Sequence, residues 1–373
     1  MTSESRIAFD ALLETLQEVA TRFGGDEWLV TAPDDVAEAL RSILHLLSTG
    51  METQFEDDPS RPVFHEIVTP WRKMLGDNPD ARYHDVRVDS AGTYRVRGTT
   101  GGAVYVSFTV EAGGVDGGMP ERTAGVLNDS EFDVAADGSF ELTIGGPELP
   151  QAWLPLPADA TRITVRHYWE QQVVPAAPPA PSLALAIELL GGDVPSRPAQ
   201  PTDESVAAAI RRMATFVRSR TLESIPAPGT GNPPPFVSRV PNEFALPVPP
   251  GDHALAAADA AYSMAPYFLG PDEALVMRVH WPKCRYGGVA LWNRQLQTFD
   301  YLRGRVGLNR AQAVTDADGT ATIVIAHRDP GVPNWLTTEG RGFGLVFWRF
   351  LLADGPIEPI TSEVVPVDSL SPR

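Results

Sequence analysis

Apolar and polar residues alternate at two widely separated places in this chain. From Thr320 to His327, Ala321, Ile323 and Ile325 fall on one face, and Thr322, Val324 and Ala326 on the other. That period of two predicts a strand. Phe140 to Ile144 alternates in the same way. Phe343 to Phe350 is apolar on both faces, which predicts a strand buried on both sides. The β-branched and aromatic content and the flanking Gly and Pro argue against helix in these runs.

The surroundings of the two alternating runs match. Asp137-Gly138 precedes the first and Asp318-Gly319 the second, each a hairpin-type dipeptide because Gly accepts positive φ. Each run is followed by prolines, a Trp-Leu pair (Trp153-Leu154, Trp335-Leu336) and a further strand. Gly to Trp spans 15 residues in the first copy and 16 in the second. Two degenerate copies of one β unit would explain this. Short strands and Asp-Gly turns also recur in β proteins of any origin.

Helical spacing occurs elsewhere. Residues 5–23 carry Leu12, Leu13, Leu16, Val19, Ala20 and Phe23 on one stripe, and residues 34–48 carry Val36, Leu40, Ile43, Leu44 and Leu47. Pro33 with Asp34 and Asp35 makes a good helix start. Further helices are expected over 182–190, 203–222 and 254–268. Two Pro-rich segments, from Pro175 and from Ile225 to Pro250, read as extended linkers. The expected organisation is an N-terminal helical pair (1–50), a first β-sandwich domain (51–174), a Pro-rich linker with a helix (175–252), and a helix plus second β-sandwich domain (253–373).

Composition narrows the function. A net charge of −18 argues against a nucleic-acid partner and against docking on an anionic membrane. The single cysteine, Cys284, excludes an internal disulfide framework and a cysteine-rich zinc site. No apolar run approaches a membrane span and the N-terminus has no signal-peptide pattern, so a cytoplasmic location is expected. Gly113 to Gly118 lacks the Lys-Ser/Thr of a phosphate loop. No metal site and no organic cofactor is expected, because the seven histidines are scattered and no dinucleotide fingerprint is present.

One family resemblance is carried by Trp292 before Asp300-Tyr301, Asn309-Arg310, the turn Asp316-Ala317-Asp318-Gly319, the strand ending at His327, and Pro333-Asn334-Trp335-Leu336. On these residues the last quarter to third of the chain resembles the bacterial domain of unknown function 1214, often paired with the 1254 domain. The N-terminal half looks like an actinobacterial version of that arrangement. The resemblance implies a jelly-roll-type β-sandwich. It implies no activity and no catalytic residues.

Three sets of residues are candidates for chemistry. Lys283, Arg285, Arg294, Arg303, Arg305 and Arg310 lie close together in an otherwise acidic chain, interleaved with Trp281, Tyr286, Trp292 and Tyr301. Arginine forks pair with carboxylate or phosphate, and aromatic walls bury a ring or chain. The same arginines could instead pair with the acidic N-terminal body. His327 with Asp329, near Asn334 and Trp335, could form a base and its orienter. A hydrogen-bonded rim histidine is the plainer reading. Cys284 with His280 is the third, and a structural cysteine the plainer account.

The expected fold is mainly β: two jelly-roll-like sandwiches, related by duplication or not, with N-terminal and inter-domain helices. The leading functional expectation is a cytosolic, cofactor-independent enzyme for an amphipathic or anionic small molecule. Its expected catalytic residues are His327 and Asp329, and its expected ligand-binding residues are Trp292, Tyr301, Arg303, Arg305, Asn309, Arg310, Asn334 and Trp335. A non-catalytic binding module and a homo-oligomeric assembly protein that uses the same face are the alternatives.

Overall fold

In the computed structural model, residues 3–171, 181–191, 200–223, 226–251 and 255–370 are described. The expected linker start at Pro175 to Pro179 and the expected helix start at Ala254 lie outside them. Helices α1 (Glu4–Arg22) and α2 (Pro33–Gly50) form at the expected places, α1 capped by the Ser3 hydroxyl and α2 opened by Pro33. Their buried stripes are narrower than expected. Leu12, Val19 and Ile43 are buried, but Leu13, Leu40 and Leu44 face outward, because only one side of each helix meets the body. Helix α3 (Asp203–Arg218) starts in a capping box of Thr202 and Ser205. Both α2 and α3 run directly into π-helical turns, Met51–Phe55 and Ser219–Glu223.

The first half holds β1 (His65–Glu66), β2 (Ala81–Arg87), β3 (Thr93–Thr99), β4 (Tyr105–Ala112), β5 (Arg122–Asn128), β6 (Ser139–Gly145), β7 (Trp153–Leu154), β8 (Ala160–Tyr168) and β9 (Ala186–Leu190). The second half holds β10 (Ala260–Phe268), β11 (Glu273–His280), β12 (Tyr286–Trp292), β13 (Gly307–Asn309), β14 (Thr320–Ala326), β15 (Trp335–Thr337), β16 (Phe343–Leu351) and β17 (Thr361–Pro366). Their sheets run β1-β2-β8-β4-β5 with β7-β6-β3-β9, and β10-β16-β12-β13 with β15-β14-β11-β17. Every strand from β2 to β9 therefore has a counterpart eight strands later, in the same place in its sheet. The fold is two jelly-roll-like sandwiches of one topology.

The repeat extends to single atoms. The short strand β7 runs parallel to β6 with Trp153 opposite Thr143, and β15 runs parallel to β14 with Trp335 opposite Val324. Each Trp indole N–H then donates to the carbonyl two residues on: Trp153 to Gly145 at 3.0 Å, Trp335 to Ala326 at 3.2 Å.

Two expected helices are strands. Residues 260–268 form β10, paired over nine residues with β16, and 186–190 form β9, paired with β3. The alanines of 256–265 suggested helix, but Ala260, Tyr262 and Ala265 are buried at sheet positions, and a full-length partner strand outweighs a weak local propensity. Strand β9 also extends the first sandwich into the stretch expected as linker. Asp318-Gly319 makes the expected tight turn, Gly319 N–H donating to Asp316 at 3.0 Å. It is not a hairpin, because β13 and β14 on either side belong to different sheets.

Each sandwich has its own apolar interior. Val106, Phe108, Ile144 and Val165 centre the first, and Leu275, Ile323, Val346 and Trp348 the second. A third cluster joins the halves and the N-terminal helices through Tyr83, Tyr105, Tyr168, Tyr262, Tyr286 and Trp292. Asp80, Tyr286 and Asn309 meet at this junction.

Candidate functional site

The segment entering β2 reaches across to the second half. Asp80, immediately before β2, is buried, and its Oδ2 accepts a hydrogen bond from the Tyr286 hydroxyl at 2.9 Å. Its Oδ1 accepts from Asn309 Nδ2 at 3.1 Å, and its backbone carbonyl accepts from Trp169 N–H at 2.9 Å. Asn78 also donates to the Tyr286 oxygen, at 3.1 Å. Burial pushes the Asp80 carboxyl up to about 7, against the lowering effect of the two side-chain donors, and the nearby Glu170 charge adds to the rise.

Asp80 lines a cleft of about 340 Å³ with Pro79, Tyr301, Arg303, Arg305 and Gln312. A carboxyl that changes charge near neutrality, in a cleft rimmed by guanidinium groups, can give or take a proton from a bound molecule. Behind the wall, the buried Lys73 ammonium donates to the carbonyls of Thr298 (2.8 Å) and Phe299 (2.5 Å) and lies 4.4 Å from the centre of the Tyr301 ring. Burial lowers its pKa. The Tyr301 hydroxyl is buried and has no hydrogen-bond partner among the described residues. A larger groove of about 810 Å³ lies along β3 and β6, but its charged pair, Arg97 and Glu141, is mutually satisfied at 2.5 Å.

The expected residues divide between this cleft and structural roles. Tyr301, Arg303 and Arg305 line the cleft, and Asn309 holds Asp80 behind it. Arg305 donates to the Pro333 carbonyl at 2.6 Å and forms no ion pair among the described residues. The rest of the basic stretch is paired. Arg285 meets Asp129, Arg294 meets Asp35, and Arg310 meets Glu170, all in the N-terminal half of the chain, whereas Lys283 meets Asp354 and Arg303 meets Asp300.

The other expected residues make local bonds. Trp292 is buried, stacked on Phe347 at 4.2 Å, with its N–H donating to the Asp77 carbonyl at 2.9 Å. Asn334 holds two segments together, accepting from Val314 N–H and donating to the carbonyls of Val314 and Thr322. Trp335 is tied to Ala326. His327 Nδ1 lies 2.6 Å from the Thr338 hydroxyl, while the Asp329 carboxylate accepts from Gly331 N–H in its own turn. No hydrogen bond joins His327 to Asp329. Cys284 contacts the Tyr286 carbonyl, and burial pushes its thiol up to about 11, so it stays protonated.

Asp80 was overlooked in the sequence, although a signal exists. Asp80-Ala81-Arg82-Tyr83 recurs as Asp259-Ala260-Ala261-Tyr262 at the entry to β10. Reading 254–268 as a helix hid the match.

The chain is similar to known proteins. Residues 289–354 match the model of a family described as a protein of unknown function (DUF1214). A crystal structure of an uncharacterised protein from Burkholderia cenocepacia is similar over 97% of this chain and 98% of that one, with 26% identity and a TM-score of 0.83. A Vibrio parahaemolyticus protein aligns over 94% of this chain and 98% of its own at 14% identity and a TM-score of 0.49. No curated protein matches the sequence.

Proposed function

We propose that the chain binds a small anionic molecule in the cleft between its two halves and that Asp80 exchanges a proton with it. The observation that carries this reading is the position of Asp80: buried, held by Tyr286 and Asn309, raised to about 7, and lining the same cleft as Arg305. Arg305 supplies the charge that attracts the ligand, Tyr301 a flat wall, and Gln312 a neutral hydrogen-bonding group. This reading needs no organic cofactor and goes with a cytoplasmic location. It moves the expected catalytic role from His327 and Asp329 to Asp80.

Calorimetric titration of the full chain with succinate and with inorganic phosphate tests the reading. Saturable binding of either anion, weakened about tenfold or more in Arg305→Ala, is the expected outcome, the scale of one lost charge-assisted hydrogen bond. Equal binding by the variant and the parent, or none by either, refutes it.

A second reading rests on the three ion pairs that tie Arg285, Arg294 and Arg310 to the N-terminal half. On that view the basic stretch is chiefly an internal interface, and only Arg303 and Arg305 remain for a ligand or for a second copy of the chain.

A further inference from the structure

The two N-terminal helices carry more apolar residues than the body covers. In α1, Phe9, Leu13, Leu16 and Ala20 follow one another at intervals of four, three and four residues, and in α2, Leu40, Leu44, Leu47 and Met51 do the same. That spacing draws one stripe along a helix. The helices pack side by side. Leu16, Ala20 and Leu47 are partly buried against the junction cluster, and Leu16 and Leu47 also share a second cluster. The stripes therefore begin at the seam between the helices and turn outward. Their outer members are open: Phe9 is 44% exposed, Leu13 51%, Leu40 41%, Leu44 62% and Met51 42%. Single exposed apolar side chains are ordinary, but five together across two adjacent helices mark an interaction surface.

Two features fit a second copy of this chain. The first is charge. At the helical turn of about 100° per residue, Asp10 lies about 60° beyond Leu13, on the side away from α2. Arg41 lies about 60° beyond Leu44, on the side away from α1. Both are exposed, and neither forms an ion pair among the described residues. A two-fold axis in the plane of the patch can carry the acidic rim of one copy onto the basic rim of the other, so the face complements itself. The second is area. The 19 residues of α1 and 18 of α2 make helices about 28 Å long, and two abreast are about 20 Å wide. Roughly 550 Å² per copy, or about 1,100 Å² for the pair, clears the roughly 1,000 Å² that a specific interface needs.

We propose that this face is the interface of a two-fold symmetric dimer, with Phe9, Leu13, Leu40, Leu44 and Met51 at its centre and an Asp10–Arg41 pair at each rim. The net charge of −18 repels two copies at long range, and salt screens that repulsion. Burial of the apolar centre carries the affinity. The interface lies apart from the Asp80 cleft and does not depend on it.

Sedimentation of the full chain at an ionic strength of about 0.15 M tests the proposal. The wild type is expected to be a dimer at micromolar concentration. Leu13→Glu combined with Leu44→Glu places like charges at the centre and is expected to weaken association about a hundredfold or more, with the circular dichroism of the folded chain unchanged. Asp10→Arg and Arg41→Asp are each expected to weaken it about tenfold, because the pair occurs twice, and the two together to restore it. A monomer at every concentration, a dimer untouched by the two glutamates, or a double charge swap no better than the single ones overturns the proposal. If the glutamate variant does not fold, the charge swaps decide.

Discussion

Asp80 and Asp259 hold the same place in the two halves, and each is bonded to the other half. The Tyr286 hydroxyl of the second half donates to Asp80, and the Tyr105 hydroxyl of the first half donates to Asp259 at 2.8 Å. Asn309 and Asn128, at the ends of equivalent strands, donate to the same two carboxylates. The residue after each central strand repeats the pattern, Trp169 N–H bonding Asp80 and Leu352 N–H bonding Asp259. The halves therefore clasp each other through reciprocal Tyr–Asp–Asn groups. Asp80 is the fully buried member, and it is the one that lines the cleft.

This duplication supplies its own control. Tyr286→Phe removes a donor that favours the Asp80 carboxylate, so it is expected to raise the Asp80 pKa above about 7 and shift the pH dependence of anion binding upward. Tyr105→Phe removes the equivalent bond at Asp259 and is expected to leave that dependence unchanged. Calorimetric titrations of succinate across pH check both.

Asp80 also makes stability depend on pH. Its native value of about 7 lies above its usual 3.8, so the folded chain keeps a proton that the unfolded chain has released. The contribution is fully present below about pH 4 and is lost as pH rises through about 7. Urea unfolding of Asp80→Asn, whose amide imitates the protonated acid, is expected to be flatter across that window and to exceed wild-type stability at pH 8 by about 4 kcal/mol.

The buried histidines act in the opposite sense. Burial lowers His84 to about 4 and His167 to about 3, from the usual 6.5. Their contribution is present above pH 6.5 and is lost as pH falls through 4 and then 3. Acid unfolding of His167→Phe, followed by circular dichroism, is expected to begin at lower pH than in the wild type.

Asn334 separates a structural role from a ligand role. Asn334→Ala removes three hydrogen bonds between buried or partly buried groups. A loss of about 2–3 kcal/mol in urea unfolding is expected, with succinate affinity unchanged.

Gly117 tests the packing against α3. Its φ of +89° suits glycine, and an added Cβ would lie 2.1 Å from the Arg212 carbonyl oxygen in α3. Gly117→Ala is expected to destabilise the chain by about 2 kcal/mol or more in the same assay.

The sheet architecture was largely legible because alternation is a local signal. The runs 140–144 and 320–326 alternate over an apolar interior, and the Trp-Leu pairs mark their parallel neighbours. Strand β10 was not legible. Its alanines favour helix locally, and only its pairing with β16 makes it a strand. The cleft was half legible. Clustered arginines drew attention to Tyr301, Arg303, Arg305 and Asn309, but Asp80 lies more than 200 residues earlier in sequence and acquires its shifted pKa only through burial at the junction. Asp85, Arg162 and Glu111, polar but buried on one face of the β2–β8–β4 sheet, were hidden for a related reason: alternation marks which residues share a face, and tertiary contacts decide whether a polar face is covered.

The most direct measurement is a pH titration of the Asp80 carboxyl carbon by NMR, assigned by comparison with Asp80→Asn, with and without saturating succinate. The account predicts a midpoint near 7 in the free protein, moved upward when the anion occupies the cleft. A midpoint near the ordinary carboxylate value of about 3.9, unmoved by succinate, would contradict it.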